Sequence, residues 1–144
     1  MKRIIEISGD GSHTLYVPEL DEHYHSTKGA IREAIHVFIE AGLKRCPKKE
    51  IHLLEIGFGT ALNAFLTLID TETSGKKVNY TAIEKYPLDI NEVSKLNYTE
   101  MIAPDREETF RQLHTLPWDE WVDVTPGFRL NKILADATRL NEFQ

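Results

Sequence analysis

The sequence is poor in cysteine, has no surplus of positive charge and contains no long apolar run. Cys46 is the only cysteine in 144 residues, so an intramolecular disulfide is impossible and a cysteine-rich zinc site cannot be assembled. A reducing, cytoplasmic setting fits. Lys and Arg number 17 against 23 Asp and Glu, a formal net charge of −6 with a pI near 5.5. That balance disfavours a protein that grips nucleic acid through a global basic field, although a local basic patch can still engage phosphates. Ile4 and Ile5 are cut off by Glu6, which leaves no signal-like apolar segment, and nowhere do 18 apolar residues run together. The chain reads as neither secreted nor membrane-spanning. Internal repeats and low-complexity linkers are also lacking.

What is present suits one globular domain: 41% apolar and 28% charged residues over a length typical of a single core. Residues 3–8 and 13–18 are β-leaning and flank Gly9-Asp10-Gly11-Ser12, a turn cluster, which predicts an N-terminal β-hairpin. Apolar Ile31, Ala34, Ile35 and Phe38 predict an amphipathic helix over 28–45, capped by Ser26 or Thr27 and stopped before Pro47. The run 51–56 reads as a buried parallel strand, 61–69 as a helix, 71–77 as a polar loop and 78–83 as a second strand closing at Glu84. Helices are expected over 89–98 and 104–115. Residues 117–127 read as irregular, and 128–135 as a third strand ending at Asp136. The expected fold class is α/β, a Rossmann-like half sheet over 28–144 preceded by an extension over 1–27.

Glu55-Ile56-Gly57-Phe58-Gly59-Thr60-Ala61 lies between a strand and a helix, where a glycine turn can bring backbone close to a ligand and the helix start offers unpaired amides. A P-loop would need Lys-Ser or Lys-Thr after its last glycine, and none is present. A dinucleotide fingerprint needs a small residue where Leu62 stands. The pattern that remains, an acid two residues before G-x-G-x-A, is close to the loop of class I S-adenosylmethionine-dependent methyltransferases, with Ala61 in place of the third glycine. Glu84 stands 25 residues beyond Gly59, near the offset of a ribose-binding acid. Asp136 closes the third strand on the same sheet edge. Taken singly, Glu84 or Asp136 is as readily a turn cap as a ligand contact; their joint spacing with the loop favours one pocket.

Tyr24-His25-Ser26, Gly29-Ala30, Glu33, Val37-Phe38, the loop 57–63, Glu84-Lys85-Tyr86-Pro87-Leu88, Leu113-His114, Leu116-Pro117, Trp118 and Pro126-Gly127-Phe128-Arg129-Leu130 together resemble one family. It is the methyltransferase domain of the tRNA wobble-uridine enzyme that completes 5-methylaminomethyl-2-thiouridine. The resemblance implies a Rossmann-like domain that binds S-adenosyl-L-methionine and methylates the primary amine of 5-aminomethyl-uridine in tRNA, with an FAD-dependent oxidase, fused or separate, supplying that amine. It also implies roles for residues. Glu55, Gly57, Phe58, Gly59 and Thr60 would line the methionine side, Glu84 the ribose, and Lys85, Tyr86, Asp136 and Ala137 the adenine side, with Tyr24 at the substrate mouth. Family members continue into a fourth strand and a substrate-binding segment after it. The expectation here is therefore an incomplete domain without an assignable catalytic residue, inactive on its own, and prone to self-associate through the exposed edge of strand 51–56.

Other constellations weigh less. His23 and His25 form a His-x-His without a supporting cysteine, so no metal site is expected. Trp118, Trp121 and Phe128 read as packing before base stacking. Lys44, Arg45, Lys48 and Lys49 form the best basic patch, more readily a solvated helix end than a phosphate contact. Alternative functions are a non-catalytic nucleotide-binding or scaffold module and a small-molecule methyltransferase of the same fold.

Overall fold

Two sheets organise the chain, and the computed structural model describes residues 1–138 of it. Strands β1 (Ile4–Ile7) and β2 (His13–Val17) pair antiparallel as the expected hairpin, and a short strand β3 (Glu22–His23) extends it to three strands. The hairpin turn also starts the first helix. Ala30, Ile31 and Arg32 donate their amides to Ser8 Oγ (2.9 Å), Ser12 Oγ (3.0 Å) and Asp10 Oδ2 (2.9 Å), which satisfies donors that a helix start leaves without partners. Burial would raise the Asp10 carboxyl, but hydrogen bonds from Ser12, Arg32 and Ser8 outweigh it and hold it at about 2. Ser26 and Thr27 therefore do not cap this helix; the Ser26 hydroxyl accepts from the Lys28 amide instead. The helix α1 (Ala30–Ala34) continues into a π-helical stretch, Ile35–Glu40, and a 3-10 turn, Leu43–Arg45.

β4 (Glu50–Ile56) leads through α2 (Leu62–Ser74) into β5 (Lys77–Glu84), and the two strands are parallel. α2 takes in residues 71–74, where the sequence pattern predicts a loop. Thr71 is buried and folds its hydroxyl back onto the Leu68 carbonyl at 2.6 Å, so its polarity does not end the helix. Gly75 ends it, at φ 74 with its amide on the Thr71 carbonyl. Between β5 and the next strand the helix expected over 89–98 is shorter, α3 (Ile90–Val93), started by a capping box between Asp89 and Glu92, and an additional helix, α4 (Tyr98–Ile102), follows it. A 3-10 turn, Pro104–Arg106, then enters α5 (Glu107–Thr115).

Residues 117–127 are not irregular throughout. Trp121–Thr125 forms β6, which hairpins through Pro126-Gly127 into β7 (Phe128–Leu134). The topology requires such a strand. α5 finishes beside the glycine turn, where His114 reaches the Thr60 carbonyl, so the chain must cross the sheet before β7 can run parallel to β5. β6 makes that crossing, giving the order β4-β5-β7-β6.

One face of this sheet is buried under the helices. Tyr80 packs between Phe38 and Phe128, and Phe65 meets Phe110 edge-on at 5.2 Å; each such side chain contributes about 1.5–3 kcal/mol of apolar burial. On the other face Leu54 and Ile56 stay 58% and 57% exposed. Among the described residues β4 pairs only with β5, leaving its outer edge open. Residues 139–144 of the expected 28–144 unit lie outside the described residues.

Candidate functional site

The chain leaves β4 through three left-handed residues in five: Gly57 (φ 86), Gly59 (φ 55) and Ala61 (φ 64). Ala61 stands where the resembling loop has its third glycine. It adopts the glycine-like conformation all the same, at a typical cost of about 1–2 kcal/mol for a residue with a Cβ. The turn is held by the Gly57 amide on the Ile83 carbonyl at 2.7 Å. A Cβ added to Gly57 would meet nothing within 4 Å, because that direction opens into a cavity of about 410 Å³ at the carboxyl ends of β4 and β5. Tyr24, Glu55, Gly57, Gly59, Glu84 and Tyr86 are among its lining residues, as is the backbone around Phe58.

Glu55 is the cavity's buried acid, 9% exposed. Its Oε2 accepts from Asn63 Nδ2 at 2.9 Å, while Oε1 has no partner. Burial pushes its carboxyl up to about 7, against the Asn63 hydrogen bond and the nearby Tyr80 hydroxyl and helped by the charge of Glu84. The Tyr80 hydroxyl, likewise without a partner in hydrogen-bond geometry, lies close enough to Glu55 for each to shift the other: it works against the rise of the Glu55 carboxyl, while burial and the neighbouring carboxyl push the Tyr80 phenol up. A buried acceptor left in this state is costly unless a donor or cation meets it.

Glu84 is differently engaged. Its Oε1 accepts from the Gly59 amide at 2.7 Å and its Oε2 from the amides of Lys85 and Tyr86 at 3.0 and 3.1 Å. Three of roughly four acceptor positions are thus committed to backbone, leaving about one for a ligand. The Tyr24 ring lies on the turn: a Cβ at Gly59 would come within 3.2 Å of it. Its hydroxyl accepts from Arg3 Nε at 2.9 Å, and Arg3 in turn grips both oxygens of Glu92.

The remaining residues singled out from the sequence sit around this centre. The Phe58 side chain turns inward, edge-on to His114 and Trp118. Thr60 is completely buried beneath the turn and does not line the cavity. Lys85, between the lining residues Glu84 and Tyr86, pairs with Asp136 at 3.2 Å, and hydrogen bonds from Thr138 and Lys85 hold Asp136 at about 2; Lys85, Asp136 and Ala137 do not themselves line the cavity. His23 and His25 diverge, His23 to Glu6 at 2.7 Å and His25 to Thr60 at 2.6 Å. Trp121 lies under Arg129 on β6, and Lys48 and Lys49 precede β4 at the end of the sheet remote from the cavity.

One residue escaped the sequence analysis. Lys132 is 1% exposed, with its ammonium 4.5 Å from the Trp118 ring centre and 5.6 Å from that of Phe58, donating to the His114 carbonyl at 3.1 Å. Burial lowers it to about 8. Its signal was the alternation Phe128, Leu130, Lys132, which puts all three on the inner face.

No family model matches the chain. Curated proteins do: the tRNA 5-methylaminomethyl-2-thiouridine biosynthesis bifunctional protein MnmC of Magnetococcus marinus is 33% identical over 90 residues, covering 58% of this chain and 14% of that protein. The same-named proteins of Campylobacter fetus and Cupriavidus metallidurans are each 30% identical over 115 and 138 residues, covering 78% and 88% of this chain and 18% and 20% of theirs. The chain thus spans a fifth or less of these relatives' length. Among solved structures, MnmC2 from Aquifex aeolicus superposes with a TM-score of 0.72 at 28% identity, over 98% of this chain and 45% of that one. By sequence and by fold the chain is MnmC-like, related to a segment of these biosynthesis proteins.

Proposed function

We propose that the chain binds S-adenosyl-L-methionine at the glycine turn and contributes to a methyltransferase acting on the aminomethyl group of wobble uridine in tRNA. The observation that carries this reading is Glu55, a buried carboxylate with one oxygen unpartnered, set against a turn whose Gly57 opens into the cavity. The donor set fits the ligand: an acid for an ammonium group, backbone amides for a carboxylate, the remaining acceptor position of Glu84 for a ribose hydroxyl, and Tyr86, next to the Lys85–Asp136 pair, for a base. When bound, the sulfonium supplies a methyl group already activated for transfer. The protein's part is to orient donor and acceptor in line and to keep water out. No catalytic base is assigned.

The names of the relatives support tRNA as the substrate class, and a cytoplasmic setting and an FAD-dependent oxidase acting upstream belong to the same proposal. No described helix is long and apolar enough to cross a membrane. A second reading, a non-catalytic nucleotide-binding module, is favoured by one feature: Glu84 spends most of its acceptor capacity on the protein's own backbone. Calorimetry with S-adenosylmethionine, S-adenosylhomocysteine, NAD and ATP tests binding. Heat with the first two alone is expected, and heat only with NAD overturns the proposal. Label transfer from the methyl donor to tRNA bearing 5-aminomethyl-uridine is expected to be absent with this chain alone, and measurable transfer would exclude the non-catalytic module.

A further inference from the structure

Thr60 is the one residue between the left-handed pair Gly59 and Ala61, and both of its oxygens are held from outside the turn. His25, just after β3, places Nε2 2.6 Å from Thr60 Oγ1. His114, in the last turn of α5, places Nε2 3.1 Å from the Thr60 carbonyl oxygen. The two histidines are 89 residues apart in sequence and approach the same residue from two different substructures. A carbonyl only accepts, so His114 carries its proton on Nε2 and is the donor. Burial keeps both imidazoles neutral, lowering each to about 4. Each arm is itself anchored. The His25 amide donates to Thr14 Oγ1 on β2 at 3.0 Å, and the His114 carbonyl accepts from the buried Lys132 ammonium. Tyr98, whose hydroxyl donates to the His13 carbonyl at 2.7 Å, stands edge-on to His25.

From this geometry we infer that His25 and His114 are positioning residues that clamp the glycine turn through Thr60, coupling the N-terminal sheet and α5 to the ligand cavity. A glycine-rich turn has more conformational freedom to lose than any other, so an unrestrained one would be ordered at the expense of binding. Restraint at the only position in the run 59–61 that is neither Gly nor Ala fixes the course of a turn whose Gly57 and Gly59 amides are already tied to the Ile83 carbonyl and the Glu84 carboxylate. It also gives Tyr24-His25 and Leu113-His114 a common purpose: they are far apart in the chain and neither His contacts the other. The clamp rests on the proposed function only for the identity of the ligand.

The test pairs a ligand-free measurement with a binding one. Amide hydrogen exchange at residues 57–62 and calorimetric affinity for S-adenosylhomocysteine are compared in the wild type, His25→Leu, His25→Gln, Thr60→Val and Thr60→Ser. His114→Leu and His114→Gln repeat the comparison from the other side. The Leu and Val variants are expected to speed exchange within the turn selectively and to weaken the nucleoside about tenfold, the scale of one lost hydrogen bond. The Gln and Ser variants, which keep a hydrogen-bonding atom at the contact, are expected to restore both to within about threefold, and combining His25→Leu with Thr60→Val to do no further harm. Loss of global stability with unchanged exchange in the turn and unchanged affinity of the folded protein would overturn the clamp. Should the wild type take up no nucleoside, the functional reading fails on its own, and the exchange comparison still decides whether the turn is clamped.

Discussion

Glu84 and Gly59 are 25 residues apart in sequence and 2.7 Å apart across the site, where the carboxylate takes the amide of the turn. The acid at the end of β5 is therefore a structural element of the glycine turn before any ligand arrives, and two consequences separate. Glu84→Ala is expected to weaken nucleoside binding by about 1.5–3 kcal/mol, the range for a hydrogen bond to a charged group. It should also lower unfolding stability, because the amides of Gly59, Lys85 and Tyr86 lose their acceptor together. Denaturant titration beside calorimetry measures both; weakened binding at full stability would mean that the amides find other partners.

Gly57 and Gly75 both sit at positive φ with no atom within 4 Å of an added Cβ, yet they should respond differently to substitution. Gly75→Ala at the end of α2 carries only the left-handed strain, about 1–2 kcal/mol. Gly57→Val carries that strain and also directs its side chain into the cavity, and is expected to abolish binding while the protein still folds. Thermal melts and calorimetry on the pair decide it. Equal loss of binding in both variants would show that left-handed strain remote from the site is enough to disable it, and that the cavity is not the reason.

The elements legible in the sequence were those whose signal is local. Apolar period and turn chemistry located β4, β5 and β7, and the context of Gly57 and Gly59 placed the turn between strand and helix. What escaped depends on partners far away in the chain. The cap of α1 lies in Ser8, Asp10 and Ser12, some twenty residues upstream. Trp121–Thr125 becomes a strand because β7 is beside it and the chain has to return across the sheet. Lys132 is buried by Trp118 and Phe58, which periodicity could have suggested for the backbone position but not for an ammonium group. For Glu84 the spacing leaves a turn cap and a ribose contact equally open, because nothing in it reveals that the Gly59 amide already occupies one carboxylate oxygen.

The outer edge of β4 is unpaired among the described residues, and Leu54 and Ile56 are open on the face beside it. An exposed edge with apolar neighbours recruits another strand unless charge deters it. The deterrents here are slight, Glu50 and His52 at its beginning. A second copy of the chain is expected to associate through this edge as protein concentration rises, and Leu54→Lys to reverse the effect. Sedimentation velocity over a concentration series is the measurement; a compact monomer throughout would mean that the edge is protected in another way.

Proton linkage gives Glu55 a test of its own. Its carboxyl sits at about 7 in the fold against an ordinary 4.5, so the folded state holds the extra proton and this contribution to stability is present below 4.5 and lost as pH rises through 7. His25 and His114, at about 4 against 6.5, act in the opposite direction: their contribution is full above 6.5 and lost as pH falls through 4. Between 4.5 and 6.5 the two histidines oppose the one carboxylate, so net stability should fall on acidification, and Glu55→Gln should steepen that fall. Ligand binding follows the carboxylate alone. A cationic ligand at Glu55 Oε1 favours the ionised acid, so its uptake releases a proton and affinity should rise about tenfold from pH 6 to pH 8, flattening above 7. Asn63 stays bonded to Oε2 throughout, and the charge of Glu84 remains to raise the carboxyl in the free protein. Calorimetry in two buffers of different ionisation enthalpy counts the released proton directly. The dependence should vanish in Glu55→Gln, and an affinity independent of pH in the wild type would mean that the ligand's cation lies elsewhere in the cavity.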